Sequence, residues 1–237
     1  MRIDLTKHVK KFIRRALKEE PLGSDWLRSR YLEQTHWVGH TQPYYNLFYI
    51  LAKELKPQAV VELGSWQATG AAHFAEGNPE AKVITIDIHK DDKIAQERAI
   101  EAANFLDNLY YINKWTWDAI EDVKKILGNL TIDILFIDAW HNKEMATKEW
   151  KLYQPLLSEP ALVICDDITD AHNFEGMYEF WDQFKYLKFL NEKVHPGIPM
   201  GFIKYDPSRK TPTLNTQIES THKRGTGRSP SKISGKS

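Results

Sequence analysis

The chain has 237 residues, enough for one large domain with extensions, and its apolar content of 42% supports a full core. Lys+Arg and Asp+Glu number 32 each, so nothing in the net charge asks for nucleic acid as an obligatory partner. The single cysteine, Cys165, excludes an intrachain disulfide and a cysteine-rich zinc site, no apolar run is long enough for a transmembrane helix, and the first residues lack a secretory h-region. The expectation is a soluble, cytoplasmic protein.

Residues 1–20 place Leu5, Val9, Phe12, Ile13, Ala16 and Leu17 at helical spacing, with Lys7, Lys10, Lys11, Arg14, Arg15 and Lys18 on the other faces. Such a helix packs on its own domain with a solvated basic face, or lies on an anionic membrane or partner; the first is expected. Pro21 and Gly23 end it. Residues 24–42 are aromatic and irregular (Trp26, Tyr31, His36, Trp37, His40) and lead to a helix from Pro43 to Leu55. There Tyr44 and Tyr45 are either core or lining of a site. Residues 1–56 thus read as a helical N-terminal cover.

From Ala59 strands and helices alternate. Strands are expected at Ala59–Leu63, Lys82–Ile88, Leu109–Asn113, Ile132–Asp138, Ala161–Asp166 and Met200–Tyr205. Helices are expected over Asp91–Leu106, Asp118–Leu127, Asn142–Leu157 and Asn173–Leu190, with Asp118 as an N-cap and Gly128 just past the third strand's helix. Short β-branched runs separated by helices mean a parallel sheet covered on both faces. Pro196-Gly197 followed by GFIKY suits a hairpin that leaves an antiparallel edge. The fold class is α/β: a doubly wound, seven-stranded, mostly parallel sheet over residues 57–206. From Pro207 to Ser237 seven basic residues and one acid stand among Pro, Ser, Thr and Gly, which reads as a disordered basic tail.

The chain is organised around Ala59–Gly70, AVVELGSWQATG. A buried strand, a glycine turn and a helix start form the layout of a nucleotide site at the carboxyl end of a strand. Trp66 stands where a dinucleotide fingerprint needs its second glycine, so a nucleoside ligand without a pyrophosphate suits the loop better than NAD. No Tyr-x-x-x-Lys pair accompanies it either, which counts against an NAD(P)-dependent oxidoreductase. Asp87 ends the second strand, 23 residues after Gly64, where an acid accepts hydrogen bonds from ribose hydroxyls.

A second set of residues is more specific. Asp138 ends the fourth strand, and Asp166 and Asp167 end the fifth, 28 and 29 residues later. Adjacent parallel strands bring their ends to one rim, and unpaired carboxylates there repel. A hard divalent cation resolves that conflict, Mg²⁺ before Mn²⁺ or Ca²⁺. His141, three residues after Asp138, can face the same rim and take a proton near neutral pH. His172 is an alternative base or metal neighbour. Each carboxylate can also merely cap the next helix.

The E-L-G-S-x-x-x-x-G loop and the aspartate spacing resemble class I S-adenosylmethionine (SAM)-dependent methyltransferases, in particular metal-dependent O-methyltransferases. Catechol O-methyltransferases share the spacing, the E-L-G turn, the acid ending the second strand and a D-x-W tripeptide, but carry lysine at the place of His141 and asparagine at that of Asp167. Antibiotic-sugar O-methyltransferases of the mycinamicin, macrocin and novobiocin type resemble it more closely. The likeness covers roughly residues 40–205 and explains neither the aromatic N-terminal segment nor the tail.

The resemblance implies SAM as cofactor, bound by Glu62, Gly64, Ser65, Trp66, Gly70, Asp87, Trp117, Asp118 and Asp138, with Trp115 and Trp140 beside it. Glu62 either contacts the amino acid part of SAM or accepts backbone N–H groups. Metal ligands would be Asp138, Asp166 and Asp167, most simply for Mg²⁺, and His141 the general base. The acceptor would be a small-molecule hydroxyl, on a sugar or glycosylated compound. A catechol-like acceptor, metal-free methylation or a non-catalytic SAM-binding scaffold are the competing readings. Related sugar enzymes are commonly oligomeric, but no homo-oligomer interface is legible here.

Overall fold

The computed structural model describes residues 5–30, 42–168, 176–191, 193, 199–208 and 217–218. The N-terminal cover contributes helices α1 (Leu5–Ala16), α2 (described over 25–30) and α3 (Gln42–Leu55). The sheet region then runs β1 (Ala59–Leu63), α4 (Thr69–Gly77), β2 (Lys82–Ile86), α5 (Lys93–Phe105), β3 (Leu109–Ile112), α6 (Ile120–Leu127) and β4 (Ile132–Ile137). It continues with α7 (Lys143–Tyr153), a 3₁₀ turn (Gln154–Leu156), β5 (Leu157–Cys165), α8 (Met177–Asp182), β6 (Leu187–Asn191) and β7 (Met200–Tyr205). Two further residues, Gln217–Ile218, add β8.

The strand order is β3-β2-β1-β4-β5-β7-β6-β8. β1 to β5 are mutually parallel, and β7 runs antiparallel to both β5 and β6. The expected seven-stranded, mostly parallel sheet is present, with the two-residue β8 beside β6. From β1 the chain winds outward through β2 and β3, then returns to β4 and β5 on the other side. The switch point therefore lies between β1 and β4, and a crevice opens there at the carboxyl ends of the strands.

Strand side chains alternate between two cores. Val60, Val83, Ile134, Phe136, Leu162 and Phe202 face the layer made by α1, α3, α4 and α5. Val61, Ile84, Leu135, Ile137, Val163 and Cys165 face α6, α7 and α8. The inner stripe of α1 (Val9, Phe12, Ile13, Ala16) is buried in the first of these cores, so this basic helix packs on its own domain, while Leu17 stays exposed. No described helix is long and apolar enough to cross a membrane.

Three sequence expectations need correction. The helix expected over Asn173–Leu190 is only the short α8 among the described residues, and its second half is strand β6. Spacing alone admits both, since Leu187, Phe189 and Leu190 fit a helical stripe; pairing decides, with Phe189 stacked on Phe202 of β7 at 5.0 Å. β6 and β7 form the antiparallel hairpin expected there, with β7 next to β5. Pro155 ends α7 early, because a proline has no amide to continue the ladder, and β5 starts at Leu157. Asp118 is not an N-cap: α6 begins after Ala119 without a side-chain cap, and Gly128 follows its end at φ +64°. Most of the basic tail and His172 lie outside the described residues.

Candidate active site

The loop after β1 turns on Gly64. Its φ of +92° is open only to glycine at low cost, and a Cβ would overlap the carbonyl of Asp138. That close approach lets the ends of β1 and β4 meet, with the Asp138 amide donating to the Leu63 carbonyl at 2.8 Å. Asp87 grips the loop: its Oδ2 accepts from the amides of Ser65 (3.0 Å) and Trp66 (2.8 Å). His89 holds the other side through Nε2 at the Trp66 carbonyl, and its Nδ1 meets the Tyr111 hydroxyl at 2.6 Å. Between these anchors Trp66 (φ +40°) and Ala68 (φ +57°) adopt left-handed backbone. Non-glycine residues persist there only where surrounding contacts hold them.

Gly70 is explained by Glu62. A Cβ at Gly70 would collide with Glu62 Oε1, and the carboxylate cannot swing away because Thr85 Oγ1 donates to its Oε2 at 2.5 Å. Burial pushes the Glu62 carboxyl up to about 8, with Asp87 adding to the rise and the Thr85 hydroxyl and Ala71 amide opposing it. Ser65 Oγ is buried without a hydrogen-bond partner among the described residues.

Beside this loop lies a cleft of about 530 Å³, walled by Trp66, Asp87, Ile88, His89, Trp115 and Trp140. Trp115 and Trp117 stack at 5.1 Å and 7°, and Trp140 leans on Trp115 at 5.6 Å. Trp117 and Asp118 do not line the cleft. Trp117 faces an adjoining groove, under the Lys148 ammonium at 4.2 Å, and Asp118 is exposed. The loop carrying these indoles is latched from below. Thr116 Oγ1 donates to the buried Glu149 carboxylate, and the Tyr153 hydroxyl donates to the Thr116 carbonyl at 2.6 Å. Burial raises Glu149 to about 7, against the Thr116 hydrogen bond and the charges of His141 and Lys148.

At the adjacent ends of β4 and β5 the acidic rim assembles. Donor atoms of Asp138, His141 and Asp167 lie within 4.8 Å of one another. His141 Nδ1 pairs with Asp167 Oδ2, and Asp167 itself has left-handed backbone at φ +54°. Asp166 is directed differently: its Oδ2 accepts from the Tyr44 hydroxyl of α3 at 2.7 Å, and the same hydroxyl stands 3.5 Å from Asp138 Oδ2. Burial first, then the charges of Asp166 and Asp167, holds the Asp138 carboxyl well above its ordinary value. Burial opposes charging of His141, but the hydrogen bond and charge of Asp167 outweigh it and raise the imidazole above 6.5. Like charges crowded in a desolvated rim, with oxygen donors and one imidazole, are a donor set that fits a hard divalent cation.

Residues 61–168 match a family model described as a methyltransferase domain. The sheet around these residues has the class I methyltransferase fold. Among curated proteins the chain is similar to catechol O-methyltransferase from Bos taurus, 25% identical over 117 residues. It is also similar to catechol O-methyltransferase B from Danio rerio, 26% identical over 121 residues. The matches cover 49% and 50% of this chain but 43% and 45% of those proteins, so the chain spans about half the length of the curated relatives it matches.

Solved structures agree on the fold. An O-methyltransferase of tomaymycin synthesis from Streptomyces achromogenes, in complex with SAM, superposes with a TM-score of 0.62 at 13% identity, over 86% of this chain and 99% of that one. An O-methyltransferase from Bacillus cereus bound to S-adenosylhomocysteine gives 0.60 at 14% identity, over 83% and 100%.

In the matched region, Glu62, Gly64, Ser65, Trp66, Gly70 and Asp87 share the loop and its supports, and Asp138, His141, Asp166 and Asp167 share the rim. Sequence reasoning gave no role to His89, Glu149 or Arg30. His89 stands two residues past the acid ending β2, a position with no recognisable motif. Glu149 sits eight residues after His141 on α7, where an acid ordinarily reads as solvated. Tyr44, which the sequence admits as core or as lining of a site, is buried and hydrogen-bonded to the rim.

Proposed function

We propose that this protein transfers the methyl group of SAM to a hydroxyl oxygen of a small molecule, with a sugar or glycosylated compound as the acceptor. The observation that carries the reading is the direct adjacency of two structures. A glycine loop held by Asp87 borders an aromatic cleft sized for a nucleoside, and a rim of Asp138, His141, Asp166 and Asp167 opens beside it. A scaffold has no use for such a rim.

Asp87 would offer its carboxylate to the ribose while holding the Ser65 and Trp66 amides, and Trp115 and Trp140 would face the adenine. Asp138, Asp166 and Asp167 would hold a divalent cation, which supplies charge neutralisation and lowers the pKa of a hydroxyl placed there. Asp167 at Nδ1 fixes the tautomer of His141, which makes Nε2 the basic nitrogen. His141 Nε2 takes the acceptor's hydroxyl proton as the oxygen attacks the methyl carbon. The carbon–sulfur bond breaks, the carbon–oxygen bond forms, and S-adenosylhomocysteine leaves as a neutral thioether.

The test is release of S-adenosylhomocysteine by chelator-treated protein, with sugar and catechol acceptors, before and after Mg²⁺ is added. Turnover restored by Mg²⁺ and lost in Asp138→Asn, with His141→Gln slower by about 10²–10⁴-fold, supports the full mechanism. Turnover indifferent to chelator overturns the cation, and turnover on catechols alone overturns the sugar acceptor.

A further inference from the structure

One buried cation outside the matched domain reaches into the cofactor loop. Arg30, in α2, is 4% exposed. Its Nη2 donates to the Gln67 carbonyl at 2.6 Å and to the Arg98 carbonyl of α5 at 3.1 Å. Its Nη1 donates to Glu101 of α5 at 3.1 Å. The guanidinium lies 5.0 Å from the Trp26 ring centre, and Trp26 stacks on Phe105 of α5 at 4.1 Å and 17°. A single side chain thus ties the N-terminal cover, α5 and the β1–α4 loop together.

The place of attachment matters. Gln67 sits between Trp66 and Ala68, the two non-glycine residues of the loop with left-handed backbone. From the β2 side, Asp87 takes the Ser65 and Trp66 amides and His89 takes the Trp66 carbonyl. From the opposite side Arg30 takes the next carbonyl, that of Gln67. Strained backbone keeps its shape only while it is held on every side. A guanidinium presents forked donors in a fixed plane and can serve the Gln67 and Arg98 carbonyls at once, which a lysine ammonium does poorly.

We infer that Arg30 is a positioning residue for the cofactor loop, so that docking of the N-terminal cover on α5 sets the affinity of the methyltransferase domain for SAM. The affinity part rests on the cofactor reading above; the grip on the loop does not. Pre-shaping a loop before binding lowers the ordering cost paid on association. The domain's cofactor site is therefore incomplete without a residue that precedes the matched region.

The test compares the full chain with Arg30→Lys, Arg30→Gln and Glu101→Gln. Isothermal titration with S-adenosylhomocysteine reads affinity, and hydrogen exchange of the 65–70 amides in ligand-free protein reads the grip. Both Arg30 variants should weaken binding about tenfold and raise KM for SAM alike, with kcat at saturating SAM within about twofold. Their loop amides should exchange faster. Glu101→Gln leaves both carbonyl contacts in place, so it should lower the melting temperature without moving affinity or loop exchange. If an Arg30 variant fails to fold, Phe105→Ala loosens α2 from α5 at a half-exposed ring and should move both readouts in the same direction. Lower melting temperature with unchanged affinity and exchange would show a purely structural arginine and overturn the inference. Wild-type protein that binds no S-adenosylhomocysteine overturns the cofactor reading and its affinity consequence, while the exchange comparison still decides the grip.

Discussion

The Tyr44 hydroxyl donates to Asp166 Oδ2 at 2.7 Å across 122 residues of chain, from inside the helical cover to the acidic rim of the sheet. The phenol is 2% exposed and wedged against Tyr45 and Phe48, which keeps its hydroxyl at the rim between Asp166 and Asp138. Burial first, then the charges of Asp138 and Asp166, holds its proton on and keeps it a donor. One side chain therefore fixes the orientation of a candidate ligand and anchors α3 over the crevice.

Tyr44→Phe removes that donor and nothing else of size. The Asp166 carboxylate, itself buried, loses that hydrogen bond. The expected loss is about 1–3 kcal/mol of unfolding free energy, measured by urea denaturation. Unchanged stability would mean that Asp166 relaxes onto another donor.

Two glycines of the chain predict opposite outcomes. Gly64 has φ +92° and faces the Asp138 carbonyl and Ala139 Cα, which are backbone atoms that cannot give way. Gly128 has φ +64° and nothing within 4 Å of its missing Cβ. Gly64→Ala should cost more than about 3 kcal/mol through strain and overlap together. Gly128→Ala should cost about 1–3 kcal/mol for its positive-φ backbone alone, which at ψ −114° only glycine adopts freely. Parallel urea titrations of the two variants check this, and equal losses would show that the approach of β1 to β4 is not tight.

How much of this was legible follows from what each residue depends on. Strands β1 to β5, their parallel pairing and the common rim of Asp138, Asp166 and Asp167 were readable, because alternating strands and helices bring the ends of parallel strands to one side. β6 was not, because Leu187, Phe189 and Leu190 satisfy a helical and a strand pattern equally, and only pairing with β7 decides. Gly70 was readable as part of the glycine loop, but the packing of Glu62 against it was not. Asp118 misled because an aspartate before a helical stripe usually caps it, whereas the chain turns once more and starts α6 after Ala119. Tyr44 and Arg30 act through partners tens of residues away, and no local signal marks them.

Stability without cofactor or cation should fall between mildly acidic and mildly basic pH. Burial raises Glu149 from 4.5 to about 7 and Glu62 to about 8. A carboxyl whose value is higher in the folded state contributes stability below its unfolded value and loses it as pH rises through the folded one. Asp122 and Glu179, lowered by their lysine partners, run the other way but lie at the surface, where ion pairs count for little. Buried His73, lowered to about 4, also runs the other way up to about pH 6.5, but the two raised carboxyls together outweigh it. Unfolding free energy should therefore drop from pH 5 to pH 8. Glu149→Gln should remove on the order of 3 kcal/mol of that drop while keeping the acceptor for Thr116. Identical pH profiles in wild type and variant would mean that Glu149 is already ionised throughout.

The aromatic loop permits a sharper test of which indole serves the cleft. Trp140 is 43% exposed and walls the cleft beside Asp87, so truncating it removes a wall of the cleft, the adenine contact of the proposed function, and little core. Trp117 lies one ring further out, between Trp115 and Lys148, and faces the groove instead. Stacking of an aromatic ring on a base is worth about 1–3 kcal/mol. Trp140→Ala should therefore raise KM for SAM by about ten- to a hundredfold with a melting temperature close to wild type. Trp117→Ala should change KM much less, because Trp115 stays in place to face the cleft. Steady-state release of S-adenosylhomocysteine at varied SAM measures both. Equal rises in KM would place the adenine against Trp117 and move the nucleoside site from the cleft into the groove.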